Sequence, residues 1–366
     1  MSSTGFSEAR ADDLDDLVAA RMSERQISAL SLAIIDNGKI VKAKGYGFTD
    51  KGGKTPVTPG TLFQAASISK SLAALGALHL VEQGLLSLDA DVNTELRSWK
   101  VPENEFTTEK KVTLRFILSH TAGFTVHGFI GYPAGSPLPT LEQVLDGLKP
   151  ANSQPVRVDT APGSAWRYSG GGYTVMQQMM IDATGKPFPE FLHNTVLNPL
   201  GMTSSTFEQP LPNEMAARAA TGHLLSGKEV PGRCYIYPEL AAAGLWTTPS
   251  DLARFAIGIQ HSYAGDSNPV ISQAMTREML TIQKSHDGLG VFVAGGGNTL
   301  RFYHDGRTVG FDSAMIAYAT AGKGAVIMLN ANDNSGTMKD LLAFIAKKYQ
   351  WPRETTPPVA MPTAVP

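Results

Sequence analysis

The chain is short of cysteine, of one-sided charge and of long apolar runs, and each shortage narrows what it can be. One cysteine in 366 residues, Cys234, excludes an internal disulfide and any multi-cysteine metal site, and fits a reducing compartment. Lys and Arg total 31 against 33 Asp and Glu, a formal net charge of -2, with no run of five like charges. Nucleic-acid binding needs clustered cations to neutralise phosphates, so no nucleic-acid partner is predicted. No stretch reaches the roughly 20 apolar residues of a membrane-spanning helix. Residues 72–86 come nearest, and His79, Glu82 and Gln83 interrupt them. The opening "MSSTGFSEARADDLDD" has no apolar core behind basic residues. It does not read as a secretory signal, so the expectation is a cytoplasmic protein, or a periplasmic or secreted one if a leader has been removed.

What is present suffices for a large core. The length suggests one large domain or two lobes. Residues 11–26 read as an amphipathic helix with Leu14, Leu17 and Val18 on one face. Two β-rich runs then flank Asp36-Asn37-Gly38-Lys39, where Asn-Gly supplies the positive-φ pair of a type I′ hairpin. Helical patterns dominate from about 67 to 284. "TTPSDLARFAIGI" starts one cleanly, with Thr248 as N-cap, Pro249 in the first turn and Asp251 at the positive end of the dipole. Strand patterns return in "GLGVFVAGG", "LRFYHDG", "DSAMIAYA" and "GAVIMLNA", followed by an amphipathic helix over 336–351. The expected architecture is α/β (α+β): an antiparallel sheet built from both ends of the chain and flanked by helices, plus a mostly helical lobe. The boundaries are 1–65 and 285–351 for the sheet lobe, 66–284 for the helical lobe, and 352–366 for a Pro/Thr/Ala-rich disordered tail. No internal repeat is present.

The stretch "AASISKSLAALGALHLVEQGLL" raises a chemical question. It crowds Ser67, Ser69, Lys70 and Ser71 at the mouth of an otherwise apolar helix. Residues i and i+3 share a helix face, so Ser67 can set its hydroxyl beside the Lys70 amine. Serine needs a neighbouring base to act as a nucleophile. An exposed lysine, with a pKa of about 10.4, cannot serve at neutral pH. Burial and the positive helix terminus both lower that pKa. The same terminus offers the Ser67 backbone N–H to a developing oxyanion. The structural alternative is an N-cap serine near an unrelated lysine.

Two further segments add candidates. "WRYSGGGY" places Tyr168 in a Gly-rich turn, either as a buried aromatic anchoring a loop or as a phenol or phenolate relaying protons. "FYHDGRTVGF" places His304-Asp305-Gly306 at a strand end, either as an edge histidine or as a cationic or hydrogen-bonding group at a cleft. The junction of the two lobes is where a cleft is expected.

In this order and spacing the three segments resemble the serine β-lactamase and penicillin-binding-protein superfamily, in particular its class C β-lactamase-like branch with family VIII esterases, D-aminopeptidases and DD-peptidases. "VTLRFILSHTAGF" and "AAAGLWTTPSDLARF" resemble further landmarks of that family, and the likeness spans nearly all of residues 12–350. The resemblance implies Ser67 as the acylated nucleophile, Lys70 as its base, Tyr168 as the first residue of the Y-x-N motif, and His304-Asp305-Gly306 as the H-x-G form of K-T-G. The backbone N–H groups of Ser67 and Arg307 would form the oxyanion hole. Gly170 and Gly306 would border the substrate. Phe124, Phe129 and Tyr132, from the 124–140 loop, could shape an acyl pocket or simply pack that loop. Gly170 stands where β-lactamases carry asparagine, and His304 where they carry lysine. Both departures weaken the case for β-lactam hydrolysis, while the Arg307 side chain is a candidate for attracting a carboxylate.

The expected activity is therefore hydrolysis through an acyl-enzyme on Ser67 of a small-molecule ester or amide. The preferred substrate class is small acyl esters, with weak or no β-lactamase activity. The alternatives are a D-amino-acid peptidase or amidase, a DD-peptidase or β-lactamase, and a catalytically silent binding protein on the same scaffold. No G-x-S-x-G elbow, H-E-x-x-H or strand-following G-x-G-x-x-G appears. No cofactor or metal is implied, His120 is read as organising its loop, and the oligomeric state stays open. The triplets Gly170–Gly172 and Gly295–Gly297 read as close-packed turns.

Overall fold

The computed structural model describes residues 13–50 and 52–353. The sequence readings over 1–12 and over nearly all of the 352–366 tail lie outside them. The first helix, α1 (Asp13–Arg25), buries Leu14 and Val18. It leads into β1 (Ala29–Asp36) and β2 (Lys39–Gly47), joined by Asn37 and Gly38 at φ 51° and 68°. Both central turn residues thus take the positive φ that a two-residue hairpin demands. The second half of the chain supplies β3 (Phe292–Ala294), β4 (Arg301–Thr308), β5 (Phe311–Tyr318) and β6 (Gly324–Leu329).

These form one antiparallel sheet in the order β2-β1-β6-β5-β4-β3. The first hairpin therefore pairs with the last strand, with Leu30 opposite Leu329 and Ile34 opposite Ala325. Side chains alternate faces along a strand. Leu30, Leu32 and Ile34 accordingly pack with Ile327 and Leu329 beneath α1 and the last helix, α6 (Thr337–Lys348), which adds Leu341 and Ile345. Ala29, Ala33 and Ile35 join Val326 and Met328 on the opposite face, in the large core shared with the helical layer.

That layer contains α2 (Ser69–Glu82), α3 (Gly170–Thr184), the short α4 (Leu240–Ala243) and α5 (Pro249–Ala264). In α5 the Thr248 side chain accepts from the Asp251 N–H, Pro249 opens the first turn, and Gly265 at φ 103° ends the helix. Leu252, Phe255, Ala256 and Ile259 give it the buried stripe that lies on the sheet. Gly170–Gly172, read from sequence as a turn, is instead the first turn of α3. The Ser169 hydroxyl caps it by accepting from the Gly172 N–H at 3.1 Å. Glycine is a poor helix former, but here its bareness is used: a Cβ on Gly171 would lie 3.0 Å from Val126 Cβ, and one on Gly172 3.2 Å from Phe124 Cδ2.

Candidate active site

The chain enters the site through Phe63–Gln64, which pairs antiparallel with Trp246–Thr247. Ala66 then takes φ 51°, a left-handed conformation disfavoured for a residue with a Cβ. Its carbonyl accepts from Ser69 Oγ at 2.6 Å, and Ser69 Oγ in turn accepts from the Leu245 N–H at 3.0 Å. Ser67 consequently lies in a 3₁₀ turn, Ala66–Ile68, that runs into α2, rather than on the first turn of α2 itself. The i, i+3 relation survives because a 3₁₀ turn also stacks residues three apart.

Lys70 Nζ lies 3.1 Å from Ser67 Oγ and donates to the Ala242 carbonyl of α4 at 2.8 Å. The lysine is 2% exposed, and burial pulls its pKa down to about 7, with Asp305 opposing. A neutral amine is thus within reach near neutral pH. The Tyr168 hydroxyl hydrogen-bonds to Ser67, and Lys70 Nζ lies 4.9 Å from the centre of the Tyr168 ring. Burial raises the Tyr168 pKa far above that of an ordinary phenol. The phenolate form considered from sequence is therefore disfavoured, and the side chain is a neutral phenol.

His304 is 3% exposed and stacks on Phe292, centroids 4.8 Å apart, with Tyr168 at 6.4 Å. Its Nδ1 meets the Asp305 carbonyl at 2.6 Å, and since a carbonyl only accepts, Nδ1 carries the hydrogen. Burial first, then the Lys70 charge, depresses its pKa to about 3. A neutral imidazole replaces the cationic one allowed from sequence. His120 does more than organise its loop. Its Nδ1 accepts the Ser169 N–H at 3.1 Å and its ring lies 4.2 Å from that of Tyr168, so it fixes the phenol from behind.

Above this cluster opens a cavity of about 720 Å³, with Ser67 and Lys70 in its floor. Phe129, Ile130, Trp166, Phe292 and Val309 make its walls largely apolar. Of the loop aromatics singled out from sequence, only Phe129 reaches it. Phe124 is buried, bridged to Val158 and set against α3, and the Tyr132 hydroxyl accepts the Asn152 N–H at 3.1 Å; neither lines the cavity. Gly170 and Gly306 do not line it either. Gly306 instead lets β4 approach the nucleophile turn, since a Cβ there would lie 2.5 Å from the Ala65 carbonyl and 2.8 Å from Ala66 Cβ.

The Arg307 side chain is not free for a ligand. Its Nε and Nη2 grip both oxygens of Asp312 at 2.8 and 2.6 Å, and Nη1 donates to Asn334 at 2.6 Å. Trp166, which the sequence does not mark as a site residue, is held by a hydrogen bond to the buried Asp287 carboxylate. The Ala242 carbonyl could not have been found from sequence, because its role carries no side-chain signal. Among the described residues, no group of three or more His, Cys, Asp and Glu is placed to hold a metal. No helix among them is long and apolar enough to cross a membrane.

An antiparallel sheet against a helical layer, with a serine, a lysine and a tyrosine meeting in the floor of the cleft between them, defines a β-lactamase-like serine hydrolase scaffold. The chain belongs to the beta-lactamase family, whose model matches residues 14–350. It is 25% identical over 312 residues to the putative penicillin-binding protein PbpX of Bacillus subtilis (strain 168), covering 83% of this chain and 71% of that one. It is 26% identical over 246 residues to protein flp of Staphylococcus aureus (strain N315), covering 65% and 45%. It is 29% identical over 251 residues to esterase EstB of Burkholderia gladioli, covering 65% and 62%. The match thus spans less than half of flp and under two thirds of EstB. In fold, the chain is similar to the octameric penicillin-binding protein homologue from Pyrococcus abyssi, with a TM-score of 0.75 and 23% identity over 92% of this chain and 77% of that one. It is also similar to a beta-lactamase/D-alanine carboxypeptidase from Pseudomonas syringae, with a TM-score of 0.71 and 22% identity over 92% and 99%.

Proposed function

We propose that the protein is a carboxylesterase acting on small acyl esters through an acyl-enzyme on Ser67, with weak or no β-lactamase activity. The observation that carries this is the buried Lys70 amine, with a pKa near 7, set 3.1 Å from Ser67 Oγ. In its neutral form Lys70 takes the Ser67 proton as Oγ bonds to the ester carbonyl carbon. The Ser67 and Arg307 backbone N–H groups are the donors assigned to the resulting oxyanion in this proposal. The carbonyl–oxygen bond to the alcohol then breaks, and the alcohol leaves with the proton, passed from Lys70 through the Tyr168 phenol. Water, deprotonated by the same pair, adds to the acyl carbon, and the acid departs as Ser67 recovers its hydrogen.

Esters are favoured over β-lactams and D-alanyl peptides because those carry a carboxylate. The Lys and Arg side chains at the cavity are Lys70, Arg167 and Arg307, and each is engaged within the protein: Lys70 by Ala242, Arg167 by Gly123 and Asp159, Arg307 by Asp312. The cavity's two histidines, His127 and His304, are both shifted by burial toward the neutral form. The apolar walls suit a short acyl chain, and the likeness to an esterase supports the choice. The second reading, a D-amino-acid amidase or DD-peptidase, draws on the relatives named as penicillin-binding proteins.

Intact mass after incubation with p-nitrophenyl butyrate should show the protein heavier by one butyryl group, and the Ser67→Ala variant unmodified. Turnover of a panel of p-nitrophenyl esters, nitrocefin and D-alanyl p-nitroanilide ranks the substrates. Faster hydrolysis of the D-alanyl amide than of every ester would replace the esterase reading by the second one. Absence of any Ser67-dependent labelling or turnover would point to a silent binding protein.

A further inference from the structure

The third acidic or basic group on β4 at the cavity is Asp305, and the mechanism above gives it no task. Its residue lines the same cavity as Ser67 and Lys70, one position after His304 and two before Arg307. No side chain among the described residues donates a hydrogen bond to its carboxylate or forms an ion pair with it. The fixed cation that acts on it, Arg307, is already gripped bidentately by Asp312 and donates to the Asp333 carbonyl at 3.0 Å. The carboxylates of Asp305, Asp312 and Asp333 thus act on one guanidinium. The other amine nearby, Lys70, is engaged by the Ala242 carbonyl and Ser67 Oγ, and burial weakens its hold on a proton. This side of the cavity therefore sets three carboxylates against one fixed cation, within a mostly apolar enclosure where charge is screened less than on open surface.

A partly buried carboxylate that no side chain pairs is costly to keep ionised, and here the hydrogen bond from its own backbone N–H offsets only part of the burial. Burial raises the Asp305 pKa to about 6, which still leaves it charged at neutral pH and above. What would relieve it is a cation delivered by the ligand. We propose that Asp305 is a specificity-determining residue that selects substrates carrying a cationic group, such as an ammonium, within reach of the β4 rim, and rejects anionic ones. The proposal rests on the esterase reading and narrows its substrate class. It requires no new chemistry: the ester is still split into acid and alcohol at the cost of one water, and the cation remains intact on whichever half bears it.

Matched esters that differ only in charge test this. On the alcohol side, acetylthiocholine is compared with 3,3-dimethylbutyl thioacetate. On the acyl side, the p-nitrophenyl ester of 4-(trimethylammonio)butanoic acid is compared with that of 5,5-dimethylhexanoic acid. In at least one pair the wild-type enzyme should prefer the cation in kcat/KM by about fivefold, the size of a partly screened ion pair. The preference should shrink as salt is added, disappear in Asp305→Asn and persist in Asp305→Glu. A merely structural role for Asp305 would lower both members of a pair together and leave their ratio unchanged. Ser67-dependent turnover with no preference in either wild-type pair would overturn this inference alone. The same holds for a preference that Asp305→Asn retains. No Ser67-dependent turnover of any of the four esters would overturn the esterase reading, and this inference with it.

Discussion

At Lys70 a single side chain carries two opposing demands, since it must be buried to lose its proton and hydrogen-bonded to stay in place. The Ala242 carbonyl and Ser67 Oγ meet the second demand whether or not the amine is charged. The first sets a pH signature. Hydrolysis of a neutral ester should fall as pH drops through about 7, where Lys70 gains its proton. Because the Tyr168 phenol is raised far above its ordinary value, it should add no descending limb between neutrality and pH ~10. Lys70→Arg keeps a permanent charge and cannot accept the serine proton, so kcat/KM should drop by roughly 10²–10⁴. A steady-state pH profile with a p-nitrophenyl ester checks all three. The same residue shapes stability. The unfolded chain holds the lysine proton up to about pH 10.4, whereas the folded protein releases it near 7. Between those values the unfolded state binds more protons, so this residue makes stability rise with pH. Thermal melts of wild type and Lys70→Met at pH 7 and pH 10 should therefore differ most at pH 7, with the methionine variant gaining there.

The nucleophile turn is an element held from three directions: by the ladder with Trp246–Thr247, by Ser69 against Ala66 and Leu245, and by the close approach of β4 at Gly306. Gly306→Ala would push a methyl group to 2.5 Å from the Ala65 carbonyl, which is backbone and cannot swing aside. The expected loss is about 1–3 kcal/mol of stability, read from denaturant melts, with a larger proportional loss of kcat/KM because Ser67 moves with the turn. At the start of α3 the outcome differs. Asparagine in place of Gly170 would bring its Cβ to 3.1 Å from the His127 carbonyl and 3.3 Å from Phe129. Gly170→Asn should therefore not raise nitrocefin hydrolysis, because the 127–129 segment occupies the space an amide would need. These elements also mark how far the sequence could be read. The hairpin, the α5 cap and the S-x-x-K spacing were legible because each is a local rule written in adjacent residues. The helical start at Gly170–Gly172 was not, since tertiary packing against Val126 and Phe124 overrides the low helix propensity of glycine. For Phe124 and Tyr132, lining the cleft and packing their own loop stood as equal alternatives, because an aromatic loop next to a site looks the same in sequence whether its rings face in or out. The task proposed for Asp305 was hidden for a related reason: only the fold shows that Arg307, two residues on, has turned to Asp312.

Across the whole molecule the helical layer and cavity wall bury acids that the chemistry above does not consume. Glu239, which precedes α4, is fully buried and neither of its oxygens meets a hydrogen-bond partner. Asp287, behind Trp166, is 1% exposed. Burial raises their pKa values to about 7 and about 8. Both residues therefore keep in the folded state a proton that the unfolded chain releases near its ordinary carboxyl pKa. Such a group contributes stability that is complete below the unfolded pKa and is lost as pH rises through the folded one. For Glu239 the window runs from 4.5 to about 7, and at roughly 1.36 kcal/mol per unit the loss is at most about 3 kcal/mol. This opposes the contribution of Lys70, so the stability of the protein near neutrality is a balance between a buried base and buried acids around one cavity. Glu239→Gln removes one side of that balance without changing shape. Chemical denaturation should show the glutamine variant no more stable than wild type at pH 4.5 and more stable at pH 8, by on the order of 1–3 kcal/mol. A stability difference that does not change with pH would mean that Glu239 is already ionised in the folded protein near neutrality.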